Sequence, residues 1–209
     1  MKGKVFISKH PLVLDKIARL RDKKTSVADF RRMMGEISML LAHDALAGAK
    51  VSGAEVATPL GSAKAMKLSH EIIFVAILRA GLGMLDGLIQ LHPEARIAHI
   101  GIYRNEGTLK PVKYYVRMPD NVKNSFVLVA DPMLATGGSA VEALDILKAR
   151  GAKNICFMGI IAAKDGVKRL TKAHPDVPVY LGVVDKKLNG NGYIVPGLGD
   201  AGDRMFGTN

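Results

Sequence analysis

The chain contains the stretch Phe126-Val127-Leu128-Val129-Ala130-Asp131-Pro132-Met133-Leu134-Ala135-Thr136-Gly137-Gly138-Ser139. Its first five residues form an apolar run of the length that suits a buried parallel strand. From Ala140 onward, apolar residues recur at helical spacing as far as Gly151, which predicts a helix over residues 138–150. The stretch therefore predicts a strand, a tight turn and the beginning of a helix, in that order.

Such a turn can bind an anion, because the start of a helix presents backbone N–H groups and the positive end of the helix dipole. Gly137 and Gly138 allow a phosphate to approach closely, and Thr136 and Ser139 add hydroxyl donors. Asp131, at the carboxyl end of the strand, can accept hydrogen bonds from neighbouring sugar hydroxyls. The arrangement indicates a ribose 5-phosphate site, although the Thr-Gly-Gly-Ser turn taken alone also fits an ordinary helix cap.

Two better-known phosphate motifs do not fit the chain. The turn lacks the lysine of the Gly-x-x-x-x-Gly-Lys-Ser/Thr loop, which argues against a P-loop kinase. Residues 197–202 do match the dinucleotide pattern Gly-x-Gly-x-x-Gly. Only seven residues follow them, which is too few for the helix and second strand of that fold.

Alternating apolar runs and helical patterns along the chain predict an α/β fold with a mainly parallel sheet flanked by helices on both faces. We interpret residues 1–209 as a single domain whose first seventy residues are largely helical, with Ser26 and Asp29 capping a helix. The predicted buried strands are 72–78, 97–102, 126–130, 155–161 and 179–184, and the predicted helices between them include 84–91 and 138–150.

Composition narrows the function classes. The formal net charge is +11, but lysine and arginine are scattered and aromatic residues are sparse, which argues against a dedicated nucleic-acid surface. Cys156 is the one cysteine, so an intramolecular disulfide is excluded and a reducing compartment is expected. No signal peptide or transmembrane stretch is recognisable, so we expect a soluble, cytoplasmic protein. The six histidines show no metal-ligand spacing, and we predict no protein-held metal.

The stretch 126–139 resembles the 5-phospho-α-D-ribose 1-diphosphate (PRPP) signature of the type I phosphoribosyltransferases. The sequence of residues 131–139 is similar to that of the uracil phosphoribosyltransferase branch in particular. Many relatives have a second acid after the first, and this branch, like the present chain, has proline there. The resemblance implies that PRPP is bound by a signature loop consisting of Asp131, Pro132, Met133, Leu134, Ala135, Thr136, Gly137, Gly138 and Ser139.

Two further loops follow predicted strands and should converge on the same edge of the sheet. Residues 78–84 place Arg79 in a glycine-bounded turn, where its forked donors suit a phosphate. Residues 101–111 form a polar hairpin that contains Arg104, and without the resemblance they would pass for an ordinary surface hairpin. The resemblance implies that Arg79 belongs to the pyrophosphate loop and that Arg104 lies in a flexible lid and reaches the diphosphate.

Residues 190–209 form a glycine-rich segment at the carboxyl end of the sequence, which we call the hood. They combine buried-type residues with fixed turn residues, unlike a disordered tail. The segment resembles the uracil-binding hood of the family almost residue for residue. That resemblance implies that Ile194, Gly199, Asp200 and Ala201 bind uracil, that Asp200 also lies near the ribose of PRPP, and that Asp200 joins Arg79, Arg104 and Asp131 as a catalytic group.

Taken together, the motifs imply an enzyme of pyrimidine salvage that converts uracil and PRPP to UMP and diphosphate. The resemblance further implies Mg²⁺ bound mainly through PRPP and a homodimer or homotetramer, and it leaves open activation by GTP. Binding to nucleic acid or membranes is not expected. The alternatives are a phosphoribosyltransferase for another base and a regulatory protein that keeps the pocket but binds RNA through its basic surface. The complete hood argues against both.

Overall fold

The structure, a computed structural model, describes residues 4–104 and 111–208. The strands in this part of the chain are β1 (Val5–Ile7), β2 (Val51–Thr58), β3 (Gly61–Leu68), β4 (Ile72–Leu78), β5 (Arg96–Arg104), β6 (Pro111–Arg117), β7 (Phe126–Ala130), β8 (Met133–Leu134), β9 (Asn154–Ala163), β10 (Val179–Asp185), β11 (Lys187–Leu188) and β12 (Ile194–Val195).

Most of the helices lie between strands along the chain, and the helices predicted at 84–91 and 138–150 are both present. They are α1 (Pro11–Arg21), α2 (Val27–Leu46), α3 (Leu82–Leu91), α4 (Gly138–Ala149), α5 (Lys164–Ala173) and α6 (Ala201–Phe206), together with a 3-10 turn at Asp120–Asn124. None of the helices formed by the described residues has both the length and the apolar character needed to cross a membrane.

One large sheet organises the fold. Its strands follow the order β1-β10-β9-β7-β4-β5-β6, and β8 pairs with β9 beside this path. All neighbours along it are parallel except β5 and β6. The prediction of a mainly parallel sheet is confirmed. The central strands β4 and β7 are apolar throughout because helices cover both of their faces.

The alternation of side chains along β4 divides the core into two layers. Phe74 and Ala76 pack with the buried residues of α1, α2, α3 and α6. Ile73, Val75 and Ile77 pack on the opposite face with the buried residues of α4 and α5. The sheet therefore has helices on both faces, and its central strands are fixed from both sides.

The amino-terminal part needs a correction. Helices α1 and α2 occupy residues 11–21 and 27–46, and the Ser26 hydroxyl caps α2 by accepting from the Asp29 N–H, as predicted. Residues 51–68, however, form the antiparallel hairpin β2–β3 instead of continuing the helical region, and residues 5–7 form the edge strand β1. The hairpin buries no residue fully, so the core imposes no apolar pattern on its sequence.

Candidate active site

Two adjoining clefts open at the carboxyl ends of the central strands. They have volumes of about 240 Å³ and 510 Å³, and both are lined by Asp131, Ser139 and Asp200. Strands β4 and β7 are paired through Ala76 and Ala130, so the residues that follow them reach the same edge. The smaller cleft is also lined by Met133, Leu134, Ala135, Thr136, Gly137, Gly138, Ala140, Gly192, Tyr193, Ile194, Gly199 and Ala201, and the larger one by Ile77, Leu78, Arg79, Ala80, Ile102, Tyr103, Tyr114 and Gly202.

Backbone interactions hold the signature loop against β9. The Asp131 N–H donates to the Met158 carbonyl at 3.1 Å, and Asp131 Oδ1 accepts from the Met133 N–H at 3.1 Å. The carbonyl of Pro132 accepts from the N–H groups of Ile160 and Ile161 at 3.1 and 2.9 Å. Pro132 is buried and does not line the cleft, but its carbonyl fixes the loop to the sheet. Its neighbours Asp131 and Met133 line the cleft.

The loop ends in a helix start that is open to an anion. Gly137 adopts a φ of 78°, a conformation that favours glycine, and its carbonyl accepts the N–H of Val141 at 3.0 Å. The N-cap residue Gly137 has no side chain to cap α4, whereas Ser26 caps α2; the Thr136 hydroxyl accepts from the Gly138 N–H at 3.5 Å. Gly138, Ser139 and Ala140, the first residues of α4, line the smaller cleft together with Thr136, and the start of a helix is a position that can bind an anion.

The environment of Asp131 changes its acidity. Burial raises the pKa of this carboxyl to about 7, and the hydrogen bond from the Met133 N–H opposes the shift only partly. A carboxyl that ionises near neutral pH at the junction of two clefts is typical of a functional position.

Arg79 lies at the entrance to the larger cleft, in the turn between β4 and α3. A Cβ atom on Gly81 would lie 2.6 Å from the Ile77 carbonyl oxygen and 2.7 Å from that of Ala130, so only glycine lets the turn pack this closely. The peptide bond preceding Arg79 is cis. The Arg79 guanidinium pairs with Asp203 of the hood at 3.0 Å, which joins the turn to the hood.

The hood contains one short strand and one helix, and its buried residues pack into the core formed with α1, α2 and α3. Strands β11 and β12 pair with each other, and α6 follows with Asp200 as its N-cap, its carboxylate accepting from the Asp203 N–H at 2.9 Å. Ile194 and Ala201 are buried, and Gly199 has a φ of 84°. Ile194, Gly199, Asp200 and Ala201 all line the smaller cleft, opposite the signature loop.

An ion pair from α1 holds the bend of the hood. Both terminal nitrogens of Arg21 donate to the Asp185 carboxylate, at 2.7 and 2.8 Å, and Nη1 also donates to the Gly197 carbonyl at 2.9 Å. The Gly197 N–H donates to the same carboxylate at 2.9 Å. Burial acts to raise the pKa of Asp185, but the hydrogen bonds from Arg21 and Gly197 outweigh it and hold the pKa below its ordinary value.

Two further arginines tie the hood to the amino-terminal helices. Arg204 donates to the carbonyls of Leu20, Asp22 and Leu198 at 2.8, 2.6 and 2.9 Å, and its guanidinium lies 4.5 Å from the centre of the Phe30 ring. Arg31 of α2 donates to the Met205 carbonyl at 2.8 Å. Side chains distant in sequence therefore fix the hood.

The structure brings most of the predicted site residues together. Arg104 is the last residue of β5; the lid segment 105–110 and the Arg104 side chain lie outside the described residues. Sequence reasoning did not single out Gly192 and Tyr193 as site residues, although both line the smaller cleft. Their position directly before Ile194 was the available signal. No local signal pointed to Arg21, whose partner Asp185 lies 164 residues away.

Comparisons with known proteins agree with this architecture. The chain is similar to the AQ2163 protein from Aquifex aeolicus, with a TM-score of 0.93 and 38% identity over 97% of each chain. It shares its fold with the adenine phosphoribosyl transferase from Trypanosoma brucei, at a TM-score of 0.54 and 17% identity over 89% of this chain and 86% of the other. The chain therefore has the fold of the type I phosphoribosyltransferases, with a glycine-rich loop at the carboxyl edge of its sheet.

The sequence comparisons are more specific. A family model for uracil phosphoribosyltransferase matches residues 7–208. The uracil phosphoribosyltransferases from Clostridium kluyveri and Clostridium beijerinckii are 50% and 52% identical to this chain over 207 residues, which are 99% of both partners in each case. The chain belongs to the uracil phosphoribosyltransferase family.

Proposed function

We propose that the chain transfers the 5-phosphoribosyl group of PRPP to N1 of uracil, which yields UMP and diphosphate. The observation that carries the proposal is the convergence of the signature loop, the Arg79 turn and the hood on two adjoining clefts that share Asp131 and Asp200. Membership of the family, with relatives of that name matching 99% of the chain, supports the same activity.

The signature loop is proposed to bind the phosphoribosyl part of PRPP. The 5-phosphate would lie at the start of α4, against the N–H groups and hydroxyls of residues 135–139. The ionised Asp131 carboxylate would accept hydrogen bonds from the ribose hydroxyls, with Asp200 on the opposite side of the ring. Met133 and Leu134 contribute the strand β8 that holds the loop in place, together with the buried Pro132.

The larger cleft is proposed to bind the diphosphate. As N1 attacks C1′, the bond from C1′ to the diphosphate oxygen breaks, and the N1 proton passes to the departing diphosphate or to water. Negative charge then accumulates on the leaving group while the ribose becomes oxocarbenium-like. Arg79 lines this cleft and would stabilise that charge, and Arg104 is proposed to act with it from the lid.

The hood is proposed to bind uracil through Ile194, Gly199, Asp200 and Ala201. Uracil has an N3–H donor between two carbonyl acceptors, whereas cytosine has an unprotonated N3 and an amino donor. Main-chain groups arranged for the first pattern would leave polar groups unpaired with cytosine. Such mismatches can reject an analogue by about 10⁴-fold.

Mg²⁺ is proposed to bind with PRPP. In the ranges that the structure describes, no three carboxylate, histidine or cysteine side chains come together to hold a metal. Substrate oxygens and water would therefore supply most of the ligands, which fits the preference of this ion for oxygen and for retaining water. When bound, the ion would neutralise charge on the diphosphate.

We further propose a cytoplasmic homodimer or homotetramer with GTP as an activator. The exposed apolar residues of the β2–β3 hairpin, Leu60, Met66 and Leu68, support self-association. The proposal for GTP rests on the family resemblance alone. Light scattering after size-exclusion chromatography tests the oligomer, and initial rates with and without GTP test the activator.

The central test is incorporation of labelled uracil into UMP, with cytosine, hypoxanthine and adenine as competing bases and RNA filter binding alongside. We expect PRPP-dependent turnover with uracil alone. The variant Arg104→Ala should lose turnover at an unchanged melting temperature. Turnover with another base, or RNA binding without turnover, would overturn the proposal in favour of the corresponding alternative.

A further inference from the structure

Helix α5 packs its first turn directly against the signature loop. A Cβ atom on Gly166 would lie 2.4 Å from the Ala135 carbonyl oxygen and 2.5 Å from that of Leu134. A Cβ atom on Gly137 would in turn lie 2.9 Å from the Gly166 carbonyl oxygen. The helix and the loop therefore touch through their backbones, with no side chain between them.

Arg169 follows Gly166 by three residues and so lies on the same face of α5. A Cβ atom on Gly138 would lie 3.5 Å from Arg169 Nη1, 3.8 Å from Arg169 Cζ and 3.7 Å from Thr136 Oγ1. The guanidinium and the threonine hydroxyl thus both lie close to Gly138, the first residue of α4.

The Arg169 guanidinium has no partner within the part of the chain that the structure describes. Arg21, Arg79 and Arg204 all make hydrogen bonds or ion pairs. Arg169 is exposed and has no hydrogen bond, ion pair or ring contact with any described residue, including Asp165 one turn earlier. A guanidinium without an internal partner can donate two parallel hydrogen bonds. Placed beside the start of a helix, the Arg169 guanidinium is suited to bind a phosphate group, which carries two negative charges.

We propose that Arg169 is a further ligand for the 5-phosphate of the ribosyl substrate and of the nucleotide product. This inference rests on the proposed function, because it takes the start of α4 as the phosphate site. It adds a side-chain cation to a site otherwise made of backbone N–H groups and hydroxyls. Its contribution is specific to ligands that carry the 5-phosphate, and diphosphate in the larger cleft does not depend on it.

Calorimetric titration of the full chain with UMP, ribose 5-phosphate and diphosphate tests the inference. The variants are Arg169→Ala and Arg169→Lys, with Lys168→Ala as the matched control that removes one exposed positive charge from the neighbouring position. We expect Arg169→Ala to weaken UMP and ribose 5-phosphate about tenfold, as loss of a hydrogen bond to a charged group does. Arg169→Lys should fall between it and wild type, and diphosphate affinity should be unchanged.

Several results would overturn the inference. If Arg169→Ala and Lys168→Ala lose affinity for UMP equally, the effect arises from the overall charge of the protein and not from a contact with Arg169. If Arg169→Ala binds UMP as tightly as wild type, Arg169 is not a ligand of the phosphate. Parallel loss of diphosphate affinity would indicate a general disturbance of the loop, which the melting temperature of each variant reports independently. If wild type binds neither UMP nor ribose 5-phosphate, the proposed function itself fails and the inference falls with it.

Discussion

The signature loop and the hood face each other across one cleft, yet they are stabilised in different ways. The loop is fixed by backbone hydrogen bonds to β9 and by a glycine contact with α5. The hood is fixed by arginine side chains, and the bonds from Arg204 to Leu20 and from Arg31 to Met205 join residues 184 and 174 positions apart.

This difference has a functional meaning. The geometry of a loop that is held by backbone hydrogen bonds can hardly be changed without disturbing the sheet to which it is bonded. A segment held by side chains can be adjusted by substitutions far from the ligand. Apart from side chains that contact the ligand, the geometry of the phosphoribosyl site should therefore be insensitive to side-chain changes around the loop, and recognition of the base should depend on distant residues.

The largest effect should come from Gly166→Ala. Its methyl group would meet the carbonyl oxygens of Ala135 and Leu134 at 2.4 and 2.5 Å and push the loop away from α5. Displacement of about 1 Å can cost roughly 10²-fold, so we expect kcat/KM for PRPP to fall by about that factor. The control is Gly53→Ala in the hairpin, where a Cβ atom has no neighbour within 4 Å. Wild-type kinetics in Gly166→Ala would show that the loop tolerates displacement.

Asp131→Asn should lose activity and gain stability. The loss in kcat/KM should be at least about tenfold, because a charge-assisted acceptor for the ribose is removed. Burial raises the pKa of Asp131 from 3.8 to about 7, so ionisation of the free protein opposes folding increasingly as pH rises through that interval. The unliganded variant should therefore melt above wild type at pH 8, with a smaller difference at pH 5. Normal kinetics would exclude a role for Asp131 in substrate binding.

Gly199→Val should affect uracil and leave PRPP almost unchanged. The φ of 84° at Gly199 costs a residue with a side chain about 1–2 kcal/mol, and a β-branched residue more. We expect about a tenfold loss in kcat/KM for uracil, while Ile194→Val, which keeps the backbone, should remain close to wild type and should still reject cytosine. Competition between uracil and cytosine measures both effects. Full uracil activity in Gly199→Val would contradict a backbone role.

Arg21→Ala should produce the smallest effect, and the most selective one. It leaves the largely buried Asp185 carboxylate without its cation and removes the hydrogen bond from Arg21 to the Gly197 carbonyl. We expect the KM for uracil to rise about fivefold, since loss of a hydrogen bond to a charged group is spread over a whole segment. The KM for PRPP should stay constant, and Arg19→Ala on the exposed side of α1 provides the control. An equal rise for both substrates would show that the two regions are not separable.

The same contrast explains what the sequence alone could predict. Strands β4 and β7 were predicted with their observed bounds because both of their faces are buried, which makes them continuous apolar runs. The signature loop could be predicted because its function requires particular residue types at consecutive positions. Helix α5 was missed because among its ten residues only Gly166 and Leu170 are buried, which gives too short an apolar stripe.

The supports of the site could not be predicted in the same way. Arg21 pairs with Asp185, and Arg169 lies beside Gly138, only because of how the chain packs. Neither contact produces a periodic pattern in the sequence. The β2–β3 hairpin escaped prediction for a related reason, since its exposed strands meet no core that would select their residues.

The long-range anchoring of the hood has a consequence for protein synthesis. Chains are made from the amino terminus and fold as segments become available. Helices α1 and α2 and the whole signature loop leave the ribosome before residues 198–206, so the anchors Leu20 and Arg31 are in place long before Arg204 and Met205 arrive. In a nascent chain, the segments proposed to bind the phosphoribosyl group are therefore made first, and the hood proposed to select the base is made last.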